Sequence, residues 1–484
     1  MKPQSEYVDV PLNMVGSTVF GRYEKQSSEQ TYNMMISDGW LVNFAGWKLA
    51  VEINNSGVGR GAYTSFRLKR LFVVIDNNII AFDSALSFNV VGKLSTFVGD
   101  VFIAENNAGQ VAFSDGLNIY IYDSTANVTT IPKIFFQPGY ISFQDTRFIS
   151  VDVSTGQWRL SALNDGRSWP VDAQHIGQFQ TKADKAIAAV PFPGRGNLLL
   201  VFGSTVTELW TDIGSQVFPY QKSQTLNYDY GCINPASIAF NEDRVCWVGI
   251  NEKSGPVIMY SLGNDAKRIS TDGIDFKLAS LSFPSNCYAY MFRQDGHLFY
   301  IVTWPKDRLS YAYDFNEDKF YTLCDEEMNA FIPKRVAFFN NEYYFVSIND
   351  GNLYNLSSDF TTYDYGDELF EIPRIRIPKT IYAPDDRNSQ SRFIGGYVGF
   401  TIEQGQYDYN VGDTDNIPRI DMCLSKDGSV AFGSNVQLVM QHQGRRQNRA
   451  IKWKLGQAND MTFQFRLWGF QRFTVRDAVV GVKL

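Results

Sequence analysis

Three histidines, His175, His297 and His442, are the first residues in this chain that chemistry could use. They lie far apart, and none has a Cys or a second His at ligand spacing, as a zinc site requires. The five cysteines (Cys232, Cys246, Cys287, Cys324 and Cys423) are equally scattered, odd in number and without a CxxC pair. They read as reduced, mostly buried thiols rather than a disulfide framework or metal centre. No GxSxG elbow, P-loop or strand-borne GxGxxG occurs, and Gly194-Arg195-Gly196 after Pro193 reads as a plain turn. Asn164-Asp165-Gly166-Arg167-Ser168-Trp169 approaches the Asp-box turn of sialidases, S/T-x-D-x-G-x-S/T-W, but Ala162 stands where the hydroxyl belongs. One degenerate copy reads as a well-built turn. Acid–tyrosine neighbours such as Asp229-Tyr230 and Glu342-Tyr343 are what chance gives among 26 Tyr and 51 acidic residues. No residue is assigned a catalytic, cofactor or metal role, and no cofactor is expected.

The sharpest surface feature is basic. The last 44 residues carry nine basic and two acidic groups, a balance of +7, which leaves 35 basic and 49 acidic, or −14, to the rest. Such a body repels a polyanion, while its C-terminal end attracts an acidic partner. Arg445, Arg446, Arg449, Lys452, Trp453 and Lys454 are the candidate ring or partner contact, because arginine pairs bidentately with carboxylates such as those on a neighbour's acidic face. A solvated hairpin loop and a contact with DNA phosphates are the competing readings of this segment.

The elements that must position these residues are strands. Aromatic residues make up 15% of the chain, alongside 38 Gly, a composition that favours strands joined by tight turns. One unit recurs, an apolar strand, a polar turn and a second strand. It is seen in LFVVIDNNIIAFDS (71–84), VAFSDGLNIYIYDS (111–124), RFISVDVSTGQWRLS (147–161) and LLLVFGSTVTELWTDIG (198–214). It returns in the hairpins at 244–263, 297–315 and 343–359. Asp76-Asn77-Asn78, Asp115-Gly116, Ser154-Thr155-Gly156 and Asn349-Asp350-Gly351 take positive φ cheaply, as tight hairpins require. The starts recur every 45 residues or so, about the length of a four-stranded propeller blade. The expectation is all-β, a six- or seven-bladed β-propeller whose blades have these hairpins as middle strands, with outer strands such as 133–139 between them. A β-sandwich, the structural rival, lacks this longer beat. Ala183–Val190 and Asp325–Phe331 are the only helix candidates.

From about Pro373, proline-spaced IPRIRIPKTIYAPDD marks a boundary. Longer alternating strands follow, as in Met461-Thr462-Phe463-Gln464-Phe465-Arg466-Leu467. The expected division is an N-terminal arm and first strand (1–60), the propeller (61–370) and a C-terminal antiparallel β-sandwich (371–484). Part of the arm is expected to order on docking, and Trp40–Val51 to supply an outer strand that closes the circle. The N-terminus lacks a secretory h-region, and no apolar run approaches the roughly 18 residues that span a bilayer.

Several short motifs carry a resemblance. Asp9-Val10-Pro11-Leu12-Asn13-Met14, Ser37-Asp38-Gly39-Trp40-Leu41 with Phe44-Ala45-Gly46, and Gly59-Arg60-Gly61 open the chain. Phe202-Gly203-Ser204-Thr205 with Glu208 lies mid-chain, and Arg449, Trp453, Gly456 and Ala478–Leu484 close it. In order and coverage these resemble the packaged-DNA-stabilisation proteins of short-tailed phages, also called tail hub, nozzle or head-completion proteins. Ala45 departs from the family's proline, and residues 240–440 match poorly. The resemblance implies a virion structural protein made in the host cytoplasm and no enzyme. It further implies a homohexameric ring below the portal-adaptor ring that retains the packaged genome. Such a ring offers a platform for a plug or needle and for tailspikes or fibres, and touches phage DNA only transiently in the channel. The readings kept open beside it are a sialidase-like propeller hydrolase and a receptor-binding tail protein.

Overall fold

The hairpin beat becomes a closed circle in the computed structural model, which describes residues 7–21, 28–383, 391–402, 418–426, 428, 431–440 and 450–483. Four consecutive four-stranded antiparallel sheets, spanning 59–93, 102–130, 138–177 and 188–228, form blades 1 to 4. In blade 5 the innermost strand is broken into Gly231–Cys232 and Ala239–Asn241, both paired with Arg244–Ile250. Blade 6 spans 288–322. Blade 7 has three strands between 333 and 357 and takes its fourth, Gly46–Asn54, from the other end of the sequence. Its inner strand Pro333–Phe339 lies against Gly59–Ser65 of blade 1, closing the ring. All seven sequence hairpins are the middle strands of these seven blades.

Apolar residues on both faces of each middle strand explain the stacking, because each sheet buries one face against each neighbour. Between blades 1 and 2, for example, Phe72 and Val74 meet Phe113, Tyr120 and Tyr122 in one buried cluster, with Phe72 at 5.8 Å from Phe113 and 5.1 Å from Tyr122, both edge-on.

The turns follow their residues with one exception. Asp76, Gly116 and Gly156 take left-handed φ of 49°, 86° and 73°. The Asn349-Asp350-Gly351 turn instead keeps negative φ, held by the Ser347 hydroxyl accepting from the Asn349 N–H and by Asp350 Oδ1 accepting from Asn352. Gly351 is required there by crowding, since a Cβ would lie 2.5 Å from Ile75 and 2.8 Å from the Asn54 carbonyl oxygen.

Three local expectations are corrected. Residues 133–137 form a connection, and Pro138 and Gly139 already belong to the inner strand of blade 3; the outer strand of blade 2 is Val128–Thr130. Ala183–Val190 is no helix: it leads into the inner strand Ala188–Pro191 of blade 4. Asp325–Phe331 is a turn in which Asp325 Oδ1 accepts from the N–H groups of Glu327 and Asn329. Among the described residues an eight-residue α-helix forms at Asp272–Ala279, capped by Thr271.

The described C-terminal strands are Phe393–Ile402, Arg419–Ser425, Val436–Val439, Ala450–Ala458, Asp460–Trp468 and Thr474–Lys483. They enter two sheets together with N-terminal strands. In one, Thr474–Lys483 lies between Trp40–Asn43 and Phe393–Ile402 and also pairs with Val8–Leu12. The other prolongs blade 6 outward: Lys319–Thr322 meets Gln30–Tyr32 in parallel, then Arg374–Ile377 and Asp460–Trp468 follow antiparallel. Their buried side chains share one core with blades 6 and 7, in which Met35, Phe299, Phe345, Phe465 and Val480 all take part.

Candidate assembly surface and the propeller axis

Of the six candidate contact residues, Arg445, Arg446 and Arg449 lie outside the described residues, as does His442. Lys452, Trp453 and Lys454 lie on Ala450–Ala458, the last strand of its sheet among the described residues. Its described neighbour is Phe393–Ile402, and the register slips between Gly395 and Tyr397. Lys454 and Gly456 take left-handed φ of 63° and 85° beside that slip, the local twist by which a bulge re-aims side chains. Trp453 is 56% exposed, with its ring 4.8 Å from that of Tyr397. Tyr397 in turn donates to Asp9 and meets Tyr7 edge-on. The strand therefore presents an aromatic platform flanked by lysines at a sheet edge.

Three other C-terminal cations have partners within the chain. The Arg466 guanidinium lies 3.7 Å over Trp468, Arg472 pairs with Asp359 of the segment after blade 7, and Arg476 lies over Trp40. Five of the nine basic residues of the last 44 lie within 441–454.

The motif residues have structural tasks. Asp38 and Gly39, both at positive φ, form the two-residue turn between Met34–Ser37 and Trp40–Asn43. The Ala45 N–H, absent from a proline, donates to Gln294 Oε1 at 2.9 Å, so blade 6 uses the donor this departure supplies. A Cβ on Gly46 would lie 2.4 Å from the Thr362 carbonyl oxygen. Arg60, 1% exposed, donates to the carbonyls of Asp76, Thr96, Val98 and Gly99 and to the Thr96 hydroxyl at 2.7–2.8 Å. One side chain thereby fixes the loop from blade 1 to blade 2.

Glu208 does the same for the loop entering blade 4. Fully buried, its Oε1 accepts from the N–H groups of Gln180 and Thr181 and from the Thr181 hydroxyl, and its Oε2 from Trp210 Nε1 at 3.0 Å. Glu208→Gln should cost about 1–3 kcal/mol, because a glutamine facing Thr181 with its carbonyl turns its own N–H groups on Trp210. A denaturant titration followed by tryptophan fluorescence measures this, and an unchanged midpoint would contradict the assignment.

The Asp-box-like segment is a single turn. Trp169 is buried against Ile121 and Phe148 and donates from Nε1 to the Gly166 carbonyl at 2.8 Å. His297 is buried against Asp314 at 2.8 Å, and His175 pairs with Asp172. Among the described residues no three His, Cys, Asp or Glu side chains gather as a metal site would need. Four cysteines are buried and Cys423 is partly so, all free thiols; burial pushes Cys232 and Cys324 up to about 12.

The axis of the propeller is nearly filled. Inner strands of six blades surround a cavity of about 260 Å³ whose walls include Tyr63, Phe102, Tyr140, Phe240 and Tyr290. At its rim the Asp100 carboxylate faces Lys334 at 3.3 Å and Arg335 at 3.5 Å. A passage this small, walled by aromatic rings, admits no nucleic-acid duplex. Sequence reasoning missed this cluster, and also the buried Arg374 and Arg376, because a basic residue on an alternating strand ordinarily marks the wet face.

Comparison with known proteins places the fold and its origin. The family described as Bacteriophage P22 Gp10, beta-propeller, matches residues 28–361. Among curated proteins none matches the sequence. The solved structures it is similar to include a streptogramin B lyase (12% identity, TM-score 0.44, covering 66% of this chain and 99% of that one). Another is virginiamycin B lyase from Staphylococcus aureus (12%, 0.44, 64% and 99%). A third is the N-terminal domain of Nup159 (10%, 0.41, 68% and 100%). With 28–361 spanning all seven blades and the strand that closes them, the chain belongs to the phage-stabilisation family of the P22 Gp10 β-propeller and is a phage structural protein.

Proposed function

We propose that copies of this protein form a ring, six to a circle, below the portal-adaptor ring of a short-tailed phage, closing the DNA channel and retaining the packaged genome. The observation that carries the reading is the family match over the whole propeller. The filled axis supports it: a chain that guides DNA cannot thread it through its own centre, so the conduit lies between copies. The ring also serves as the platform for a plug or needle and for tailspikes or fibres. The acidic body suits a wall past which DNA slides, because extensive phosphate binding would brake ejection. The protein is made in the bacterial cytoplasm and ends in the virion, without membrane insertion.

The contact between copies is assigned to the basic segment and its exposed edge strand, from Arg445 to Lys454, set against a neighbour's acidic surface. Charge pairs across interfaces couple by about 1.5 kcal/mol or more. Replacing Arg445, Arg446 and Arg449 together with Glu should therefore weaken ring formation by at least about tenfold. The monomer's melting temperature should stay unchanged. Electron microscopy of the protein mixed with portal–adaptor complexes supplies the readout. Rings on the adaptor for the parent chain and their loss in the variant are expected. A parent chain that stays a free monomer would overturn the reading, and a variant that assembles normally would remove the basic segment from it.

A further inference from the structure

We propose that the acidic hairpin 362–371 is the surface of the neighbouring copy on which the basic edge strand Ala450–Ala458 docks. The inference rests on the ring reading above, and it starts from symmetry. A closed ring of identical copies built from one repeated contact joins two different patches of the same chain. With the basic strand as one patch, the other lies elsewhere on this chain.

Charge selects it. Between Arg335 and Arg374 the sequence holds no Lys or Arg but seven acidic residues. Three of the seven are engaged in or just after blade 7. Glu342 accepts from Tyr344 and Asn355, Asp350 accepts from Tyr354, and Asp359 pairs with Arg472. The other four, Asp364, Asp367, Glu368 and Glu371, lie in the hairpin. The Tyr365 hydroxyl donates to Glu326 at 3.0 Å, which brings the turn Asp325-Glu326-Glu327 against it. Glu371 is answered by Arg419 and Arg374 of its own chain, and Lys48 lies beside Asp364. Asp367 and Glu368 stand exposed at the tip. Burial, with Asp325 and Glu327 close by, holds the Glu326 carboxyl above its usual range, as an excess of negative charge should.

The backbone and the apolar surface match as the charges do. The sheet of blade 7 continues past its borrowed strand Gly46–Asn54 through Thr362–Asp364 to Leu369–Glu371, its last strand among the described residues. Leu369 is 52% exposed there, as Trp453 is 56% exposed on Ala450–Ala458. An open edge with an exposed apolar side chain is a ready surface for a further chain, and the charge on it decides which edge it accepts. One edge carries Lys452 and Lys454, and the other has Asp367 and Glu368 beside it. Two like edges repel, so the contact runs head to tail, as closure of a ring requires.

Electron microscopy of the full-length protein with portal–adaptor complexes tests this through a charge swap. Lys452→Glu with Lys454→Glu, and separately Asp367→Lys with Glu368→Lys, should each weaken ring formation at least about tenfold. The monomer's melting temperature should not move in either. Mixing the two variants in equal amounts should restore rings, because copies alternating around six places set parent charges at one contact and swapped charges at the next. Rings that form from the parent chain and persist in the hairpin variant would overturn the hairpin's part and leave the ring standing. A mixture with no more rings than either variant alone would also overturn the docking. Recovery with all four substitutions in one chain would then place the contact within a copy. A parent chain that forms no ring would overturn both this inference and the reading on which it rests.

Discussion

Replacing Arg376 with Met should destabilise the protein by about 3–5 kcal/mol, the cost of stripping one partner from a buried ion pair. Arg376 is fully buried where the N-terminal segment crosses the prolonged sheet of blade 6. Its Nη1 donates to the Ser17 carbonyl and the Thr31 hydroxyl, and its Nη2 to the Asn13 carbonyl at 2.7 Å and to Glu29. The Thr31 hydroxyl passes the network on to the Gly16 carbonyl at 2.7 Å. Methionine fills much of the volume but leaves the Glu29 carboxylate and two carbonyls without their donor, so the loss is electrostatic rather than a packing defect. Gly16→Ala is an independent probe of the same junction, because its Cβ would lie 2.0 Å from Arg376 Nη2. Both variants should unlock residues 7–21 and 28–32 in hydrogen exchange while the middle strands of blades 2 to 4 stay protected. A midpoint shift below about 1 kcal/mol for Arg376→Met would mean that water replaces the lost donor at little cost.

That junction also marks where the sequence stopped being legible. The middle hairpins were readable because each carries its information locally, in an apolar run, a turn residue and a second run. Outer strands such as Val128–Thr130 are short and exposed, so nothing separates them from neighbouring loop. Residues 133–139 misled through Phe135 and Phe136, of which Phe135 is 69% exposed and Phe136 packs on Trp169 from a loop. The helix Asp272–Ala279 went unseen because its buried residues, Gly273, Ile274 and Leu278, make only a weak apolar stripe. Pairings such as Val8–Leu12 with Thr474–Lys483 join the two ends of the chain and leave no periodic trace in either. Of the candidate contact, sequence located the basic charge; the exposed Trp453 and the backbone twist at Lys454 became visible only once strand order was known. The filled axis depends on side chains from six blades converging, which no local pattern records.

Trp47→Ala should be the other severe variant, costing about 3–5 kcal/mol, because this one ring holds the clasp of the propeller. Trp47 lies on Gly46–Asn54, opposite Leu356 of blade 7 on one side and beside Tyr363 on the other. It is fully buried, stacks face to face on Tyr363 at 3.5 Å, and takes edge contacts from Phe331, Phe345 and Tyr365 at 5.5–5.9 Å. Among the described residues its indole N–H has no partner, so Trp47→Phe gives up packing but no hydrogen bond and should be much milder, about 1.5 kcal/mol or less. The clasp joins residues some three hundred positions apart, and the entropy of closing so long a loop must be met by contacts at the closing strand itself. Without the ring the clasp strand opens first, leaving a bare edge on blade 7. Amides of blade 7 and of the adjoining Gly59–Ser65 strand should then exchange faster than those of blades 3 and 4. Trp453→Ala, at the exposed platform, is the matched control: monomer stability should change by no more than about 0.5 kcal/mol. If Trp47→Ala melted with the parent midpoint, the circle would be held by the contacts between neighbouring blades alone, and the borrowed strand would be an ornament of the fold rather than its lock.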